Sequence, residues 1–203
     1  MADYIKCNAD LHIHGLYSRA VSREMLPNKI AEQAPLKGLN LVATGDILNP
    51  KWISIIKDQL KFNDNGLLEH ENKTKFIMQT EINDINNVHH IILFPGLSKV
   101  EEVSEAFKPK CKSLDTEGRP TVHLNGEEIA EICIKADCLL GFSHAFTPYF
   151  GLFAKYNSYR QCYGRYWNKI HFMELGLSAD TNMADRISEL HSLTFTSNSD
   201  SHS

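Results

Sequence analysis

Apolar positions along the chain fall into two alternating rhythms. Short runs crowded with Val, Ile, Leu and Phe read as strands: YIKCNADLH (4–12), LNLVATGD (39–46), KFIMQTEI (75–82), VHHIILFP (88–95), CLLGFSH (138–144), IHFMELG (170–176) and LTFTSNSD (193–200). Longer stretches with helical spacing separate most of them, over 24–37, 50–62, 99–108, 126–136, 156–167 and 182–190. Near-continuous apolar strands divided by helices imply βα units and a parallel sheet covered on both faces. Seven such strands predict an α/β fold with a closed or nearly closed barrel.

Local signals refine this pattern. Pro27 suits the first turn of a helix, whereas Pro35 ends or kinks the same helix. Residues 109–120, with DTEGRP, read as an excursion from the barrel. No internal repeat, low-complexity tract or domain boundary interrupts the pattern, so residues 1–203 are expected to form one domain. The sequence ends on SNSDSHS directly after a strand, with no helix to cover it, and a C-terminal truncation is expected.

Composition adds bounds. The 203 residues, 42% of them apolar, suffice for one substantial core. A net charge of −4 gives no whole-chain attraction to nucleic acid, although bound cations would offset acidic ligands. The Lys108, Lys110 and Lys112 strip reads as a solvated loop. Five scattered cysteines lack zinc-finger or redox spacing and fit a reducing cytoplasm, with Cys133 and Cys138 as buried hydrophobes. No run is long and apolar enough to span a membrane.

Chemistry gathers at one end of the strands. In a parallel barrel the active site lies at the strands' C-terminal ends. There stand His12 and His14, two apart and so on the same side of a strand, then Asp46, Glu81, His144, Asp200 and His202. The fourth strand carries both His89 and His90. A lone histidine is an ordinary core residue and a lone Asp46 would pass for a helix N-cap, but no packing argument places polar groups at this edge strand after strand. His70, His123, His171 and His191 lie elsewhere and take the structural reading. Imidazoles and carboxylates without thiolates suit zinc, manganese or iron. The donors outnumber what one tetrahedral ion takes, so two or three ions are expected, bridged by a carboxylate such as Glu81. Such clusters suit phosphate-ester hydrolysis, in which the ions activate water and stabilise the oxygens of an in-line displacement.

The motifs DLHIH, TGD, TEI, HHIILFP, FSHAF and NSDSHS resemble, in order, those of the polymerase and histidinol phosphatase superfamily. That resemblance implies a distorted (β/α)7 barrel with a trinuclear metal centre. DLHIHGLYSRAVSREM, SHAFTPYFGLF, ELGLSADTNM and SNSDSHS are similar to the N-terminal catalytic domain of the endonuclease Q family, which nicks DNA 5′ of deaminated bases and abasic sites. The resemblance implies His12, His14, Asp46, Glu81, His144, Asp200 and His202 as metal ligands, with Asp46 standing where many superfamily members have a histidine. It prefers His89 over His90, which faces the other side of the strand. Glu81, Asp200 and Arg19 are the catalytic candidates: Glu81 bridges ions, and Arg19 pairs with the scissile phosphate or forms a surface ion pair. Glu174 and the GLSAD loop are expected either to support the metal ligands or to contact substrate, while Asp180 serves either there or as an N-cap. Damaged DNA is the implied partner, joined by a replication clamp through chain beyond residue 203.

Two alternatives stand beside the endonuclease reading. One is a phosphomonoesterase acting on a small molecule, which the acidic charge favours. The other is an inactive metal-binding module, against which the full set of ligand types speaks.

Overall fold

The computed structural model describes residues 6–203. Each apolar run yields a strand: β1 (Ala9–Asp10), β2 (Leu41–Ala43), β5 (Lys75–Asn83), β6 (His89–Phe94), β7 (Leu139–Phe142), β8 (Phe172–Glu174) and β9 (Thr194–Thr196). Residues 4 and 5 of the first run lie outside the described residues. Two short strands absent from the sequence reading, β3 (Lys61–Phe62) and β4 (Leu68–Glu69), form a hairpin that pairs onto β5.

The main path runs β1-β2-β5-β6-β7-β8-β9 and curls until its edges meet. Beyond β1 and β9, Ile13 bridges Ser201 in parallel. His14 N donates to Ser201 O and Asp200 N donates to His12 O, each at 3.0 Å. The segments that close the barrel are therefore those that carry His12, His14, Asp200 and His202.

One strand departs from the expected all-parallel sheet. β6 runs antiparallel to both β5 and β7, while the other neighbours along the path are parallel. The reason is the connection 84–88, far too short for the crossover that a parallel pair needs. Asp84 builds this turn: its Oδ1 accepts from Asn86 N and Val88 N, both at 2.8 Å. Reversal brings the beginning of β6 to the edge where the parallel strands end, so His89 joins the site although it opens its strand.

All the helices but α3 are shorter than their apolar patterns. α1 (Pro27–Gln33) starts on Pro27 and gives way to a 3-10 turn at Pro35–Lys37, as the two prolines require. α2 (Pro50–Gln59) is capped by Asn49, which accepts from Lys51 N and Trp52 N. The buried Trp52 donates Nε1–H to Thr44 O and Gly45 O, fixing the turn that follows β2. α3 (Leu97–Phe107) and α4 (Gly126–Lys135) follow, the latter with a reciprocal Asn125–Glu128 capping box. α5 (Tyr159–Tyr163) and α6 (Thr181–Ala184) are brief, and Asp180 is the N-cap of α6.

Cys111, Cys133, Cys138 and Cys162 are buried thiols and Cys7 is exposed. The Lys108, Lys110 and Lys112 strip is solvent-exposed. Among the described residues, no helix is long and apolar enough to cross a membrane.

Candidate metal centre

The backbone aims the site before any side chain acts. Asp46, His144 and Asp200 follow β2, β7 and β9 and take φ of 40°, 24° and 50°, in the left-handed region that non-glycine residues seldom occupy. Such strain persists where the surroundings over-determine it, and it collects at functional sites. Gly176, at φ 68°, lets the chain after β8 press against His144, where a Cβ would stand 2.7 Å from that of the histidine.

Three overlapping groups of donors result: His12, His14 and Glu81; His14, Asp200 and His202; Glu81, His89 and His144. His12 Nε2 is 3.5 Å from Glu81 Oε1 and 3.4 Å from Asp200 Oδ1. His14 Nε2 is 3.4 Å from Glu81 Oε2 and 3.1 Å from Asp200 Oδ1. His89 Nδ1 and His144 Nε2 lie 3.1 and 3.3 Å from Glu81 Oε1. Donors sharing one small divalent ion at bond lengths of about 2.0–2.1 Å stand roughly 3.3 Å apart. His12 Nε2, His14 Nε2, Glu81 Oε1 and Asp200 Oδ1 are buried without a hydrogen-bond partner. Unpaired buried polar atoms are costly, and here they converge on one another. This donor set fits divalent metal ions.

Behind the inward atoms stands a supporting layer. Glu174 holds His12 Nδ1 at 2.9 Å, accepts from His144 N at 2.9 Å and is itself steadied by Asn198. Thr147 Oγ1 meets His144 Nδ1 at 3.0 Å. Asp46 meets His14 Nδ1 at 3.1 Å, while its other oxygen accepts from Gly15 N at 2.6 Å and Ser18 Oγ at 2.7 Å. Carboxylate partners on the outer ring nitrogen of metal-binding histidines fix the tautomer and ring orientation.

The expected ligands therefore divide. His12, His14, Glu81, His89, His144, Asp200 and His202 come together, and His89 rather than His90 belongs to the group. Asp46 is placed behind His14, its oxygens engaged away from the shared centre. Its left-handed turn after Gly45 brings it back against the His14 ring and the 15–18 loop.

Electrostatics follow from so many carboxylates. Burial opposes charge on His12, yet Glu81 and Glu174 lift its imidazole to about 10. His14 is likewise driven well above its ordinary value against burial, by Asp200, Asp46 and Glu81. Glu81 is held well below the carboxylate range by His89, His12 and His14 in spite of burial, and Asp200 is lowered mainly by His14 and His12. Burial lowers His89, assisted by Arg119 and His144 against the pull of Glu81. The centre calls for positive charge, which protons or cations can supply.

Arg119 was not anticipated. The 109–120 excursion folds back over the barrel mouth, where Gly118 N donates to Tyr17 O and Arg119 Nη1 donates to Glu81 Oε2 at 3.1 Å. A Cβ on Gly118 would stand 2.7 Å from Asp46 Oδ2, so only glycine passes here. Arg19, Arg119 and His89 share a cavity of about 340 Å³ beside the centre, and Phe150 stacks on His89 at 4.5 Å between ring centroids. Arg19 is exposed, and its own contribution is to the wall of this cavity.

No protein-family model matches the chain. It is 40% identical over 141 residues to the uncharacterized protein MJ0043 of Methanocaldococcus jannaschii, covering 70% of this chain and 16% of that protein. It is 27% identical over 224 residues to the uncharacterized protein YqxK of Bacillus subtilis, covering 98% and 55%. The lesion-specific endonuclease Q of Pyrococcus furiosus superposes with a TM-score of 0.93 at 47% identity, over 97% of this chain and 48% of that one. Endonuclease Q in complex with a 27-mer duplex carrying an abasic lesion at the active site superposes with a TM-score of 0.93 at 47% identity, over 97% and 49%. A Bifidobacterium adolescentis protein described as a metal-dependent phosphoesterase shares the fold alone, with a TM-score of 0.65 at 13% identity over 99% and 90%. The chain spans about half the length of the endonuclease Q chains. In sequence and in fold this chain is similar to that half of endonuclease Q, and its barrel fold is shared with the Bifidobacterium adolescentis protein.

Proposed function

We propose that the chain is the catalytic portion of a divalent-metal-dependent DNA endonuclease, which hydrolyses a phosphodiester 5′ of abasic sites and deaminated bases. The observation that carries this reading is the convergence of buried, unpartnered ring nitrogens and carboxylate oxygens, each histidine of the pair backed by its own carboxylate. Likeness to endonuclease Q supplies the substrate class.

Three donor groups sharing His14 and Glu81 would hold two or three ions, and the imidazole and carboxylate donors suit zinc, manganese or iron, with magnesium able to support activity. When bound, such ions activate water and neutralise charge building on the phosphate oxygens. Glu174 and Asp46 keep His12 and His14 in the ligating tautomer. Arg119 braces Glu81 and, with Arg19, offers guanidinium groups to a phosphate entering the adjacent cavity. Glu81 thus joins the ions' shared centre to the substrate side. The remaining duplex contacts, and any replication-clamp contact, are assigned to chain outside these residues.

The test is incubation of the purified chain, with zinc and separately with manganese, with duplexes carrying an abasic site, uracil, hypoxanthine or no lesion. A nick 5′ of the lesion, lost with chelator, is the expected result. Turnover of an aryl phosphate monoester without any nick, by this chain and by one extended with a full-length homologue's downstream region, would replace the reading with a small-molecule phosphatase. Metal-dependent stabilisation with neither activity in either protein would favour the inactive module.

A further inference from the structure

A second set of donors lies across the barrel wall from the metal centre, and the proposed reaction does not use it. Asp84 from the β5–β6 turn, His90 from β6 and Cys162 from α5 place one carboxylate oxygen, one ring nitrogen and one sulfur within 4.8 Å of one another. All three residues are buried, with Asp84 and His90 at 0% exposure and Cys162 at 3%.

The donors are aimed as those of the catalytic centre are. Asp84 spends Oδ1 on the two backbone N–H groups of its turn, which leaves Oδ2 free. His90 Nδ1 lies 2.8 Å from the Tyr163 hydroxyl, which orients the ring and leaves Nε2 facing Asp84 Oδ2 at 3.3 Å. Asp84 Oδ2 and His90 Nε2 are both buried without a hydrogen-bond partner. Their separation matches the roughly 3.3 Å between neighbouring donors on one zinc-sized ion. Gly126, where α4 begins, fences the sulfur: a Cβ there would stand 2.5 Å from Cys162 Sγ.

We propose that Asp84, His90 and Cys162 form a second, structural metal site, separate from the catalytic centre, which takes zinc or a similar late first-row divalent ion. A mixed oxygen, nitrogen and thiolate donor set selects such ions over magnesium or calcium. Three protein donors leave a fourth position for water. The ion would tie α5 to the β5–β6 turn, the turn that reverses β6 and so delivers His89 to the other face. Because the site is sealed, the ion enters as the chain folds, and the Cys162 thiol proton leaves to solvent on binding.

Cobalt substitution separates this site from the catalytic one, whose donors include no sulfur. The full chain, unfolded in chelator and refolded with cobalt(II), should show a near-ultraviolet thiolate-to-cobalt charge-transfer band. Cys162→Ser should remove that band and Cys111→Ser should keep it. In a His14→Ala background, adding Cys162→Ser should lower the zinc that survives dialysis by about one equivalent. Absence of the band in the wild-type chain, or a band that Cys162→Ser leaves intact, would overturn the proposal. His90 would then donate to Asp84 in a plain buried hydrogen-bond chain. Wild-type spectra decide this even if a variant misfolds, and no readout depends on DNA cleavage.

Discussion

His89 and His90 open the same strand, and the barrel wall separates them. His89 faces the mouth, 3.1 Å from Glu81, under Phe150 and beside the cavity that Arg19 and Arg119 line. His90 faces the interior, sealed between Tyr163, Asp84 and Cys162. Alternation along a strand sends successive side chains to opposite faces, so identical residues meet opposite demands. On the open side a histidine is a candidate for chemistry; on the closed side it holds parts of the fold together.

The largest effects should come from breaking the open side. His14→Ala and Asp200→Ala each remove a donor shared by neighbouring groups, and nicking should fall to background. Far-UV circular dichroism should still report the native fold, since neither residue belongs to the hydrophobic core clusters. Wild-type rates in either variant would sink the metal-site reading.

Breaking the closed side should invert the pattern. His90→Ala strands a buried carboxylate and a buried hydroxyl, which costs about 3 kcal/mol in denaturant unfolding. Cleavage per folded molecule should stay near wild type, whereas His89→Ala should lose cleavage with little loss of stability. Equal losses of stability in both variants would mean that the wall does not divide them as described.

Asp46→Asn sharpens the comparison from behind the open side. Its carboxylate touches His14 Nδ1 and two groups of the 15–18 loop, and its oxygens do not join the shared donors. Loss of an orienting partner costs about 10- to 100-fold in metal affinity or activity. Metal titration followed by activity at saturating metal should therefore show a weakened but recoverable enzyme. Complete loss at saturating metal would make Asp46 a ligand after all.

Much of this was legible because the donors stand at strand boundaries, and apolar runs announce strands. His12, His14, Glu81, His144, Asp200 and His202 are each marked by the run they follow or end. What the pattern does not encode is direction. The aim of Asp46 depends on left-handed φ at Gly45 and Asp46, which periodicity does not reveal. The reversal of β6 was signalled by the brevity of NDINN between two strands, but the surrounding parallel pattern masked it. Arg119 is 38 residues from Glu81 in sequence and arrives on an irregular segment, so only the fold joins them. The helices at α1 and α5 are shorter than their apolar spacing because 3-10 turns take it over, at Pro35–Lys37 and Gly164–Lys169.

The smallest expected effect tests the two arginines at the mouth, the only part of the comparison that concerns substrate rather than metal. Arg119 is tied to Glu81, whereas Arg19 is exposed and free to reach a phosphate. Each phosphate neutralised by a cation contributes about 0.9 to the slope of log affinity against log salt on duplex DNA. Arg19→Ala should therefore lower that slope by about 1 for damaged and undamaged duplexes alike, with a modest loss of affinity. Arg119→Ala should lower the slope too, but its loss also frees Glu81 Oε2, so metal affinity should change with it. If Arg19→Ala leaves the slope intact and Arg119→Ala alters only metal binding, the cavity does not hold the phosphate, and the DNA backbone must cross the barrel mouth elsewhere.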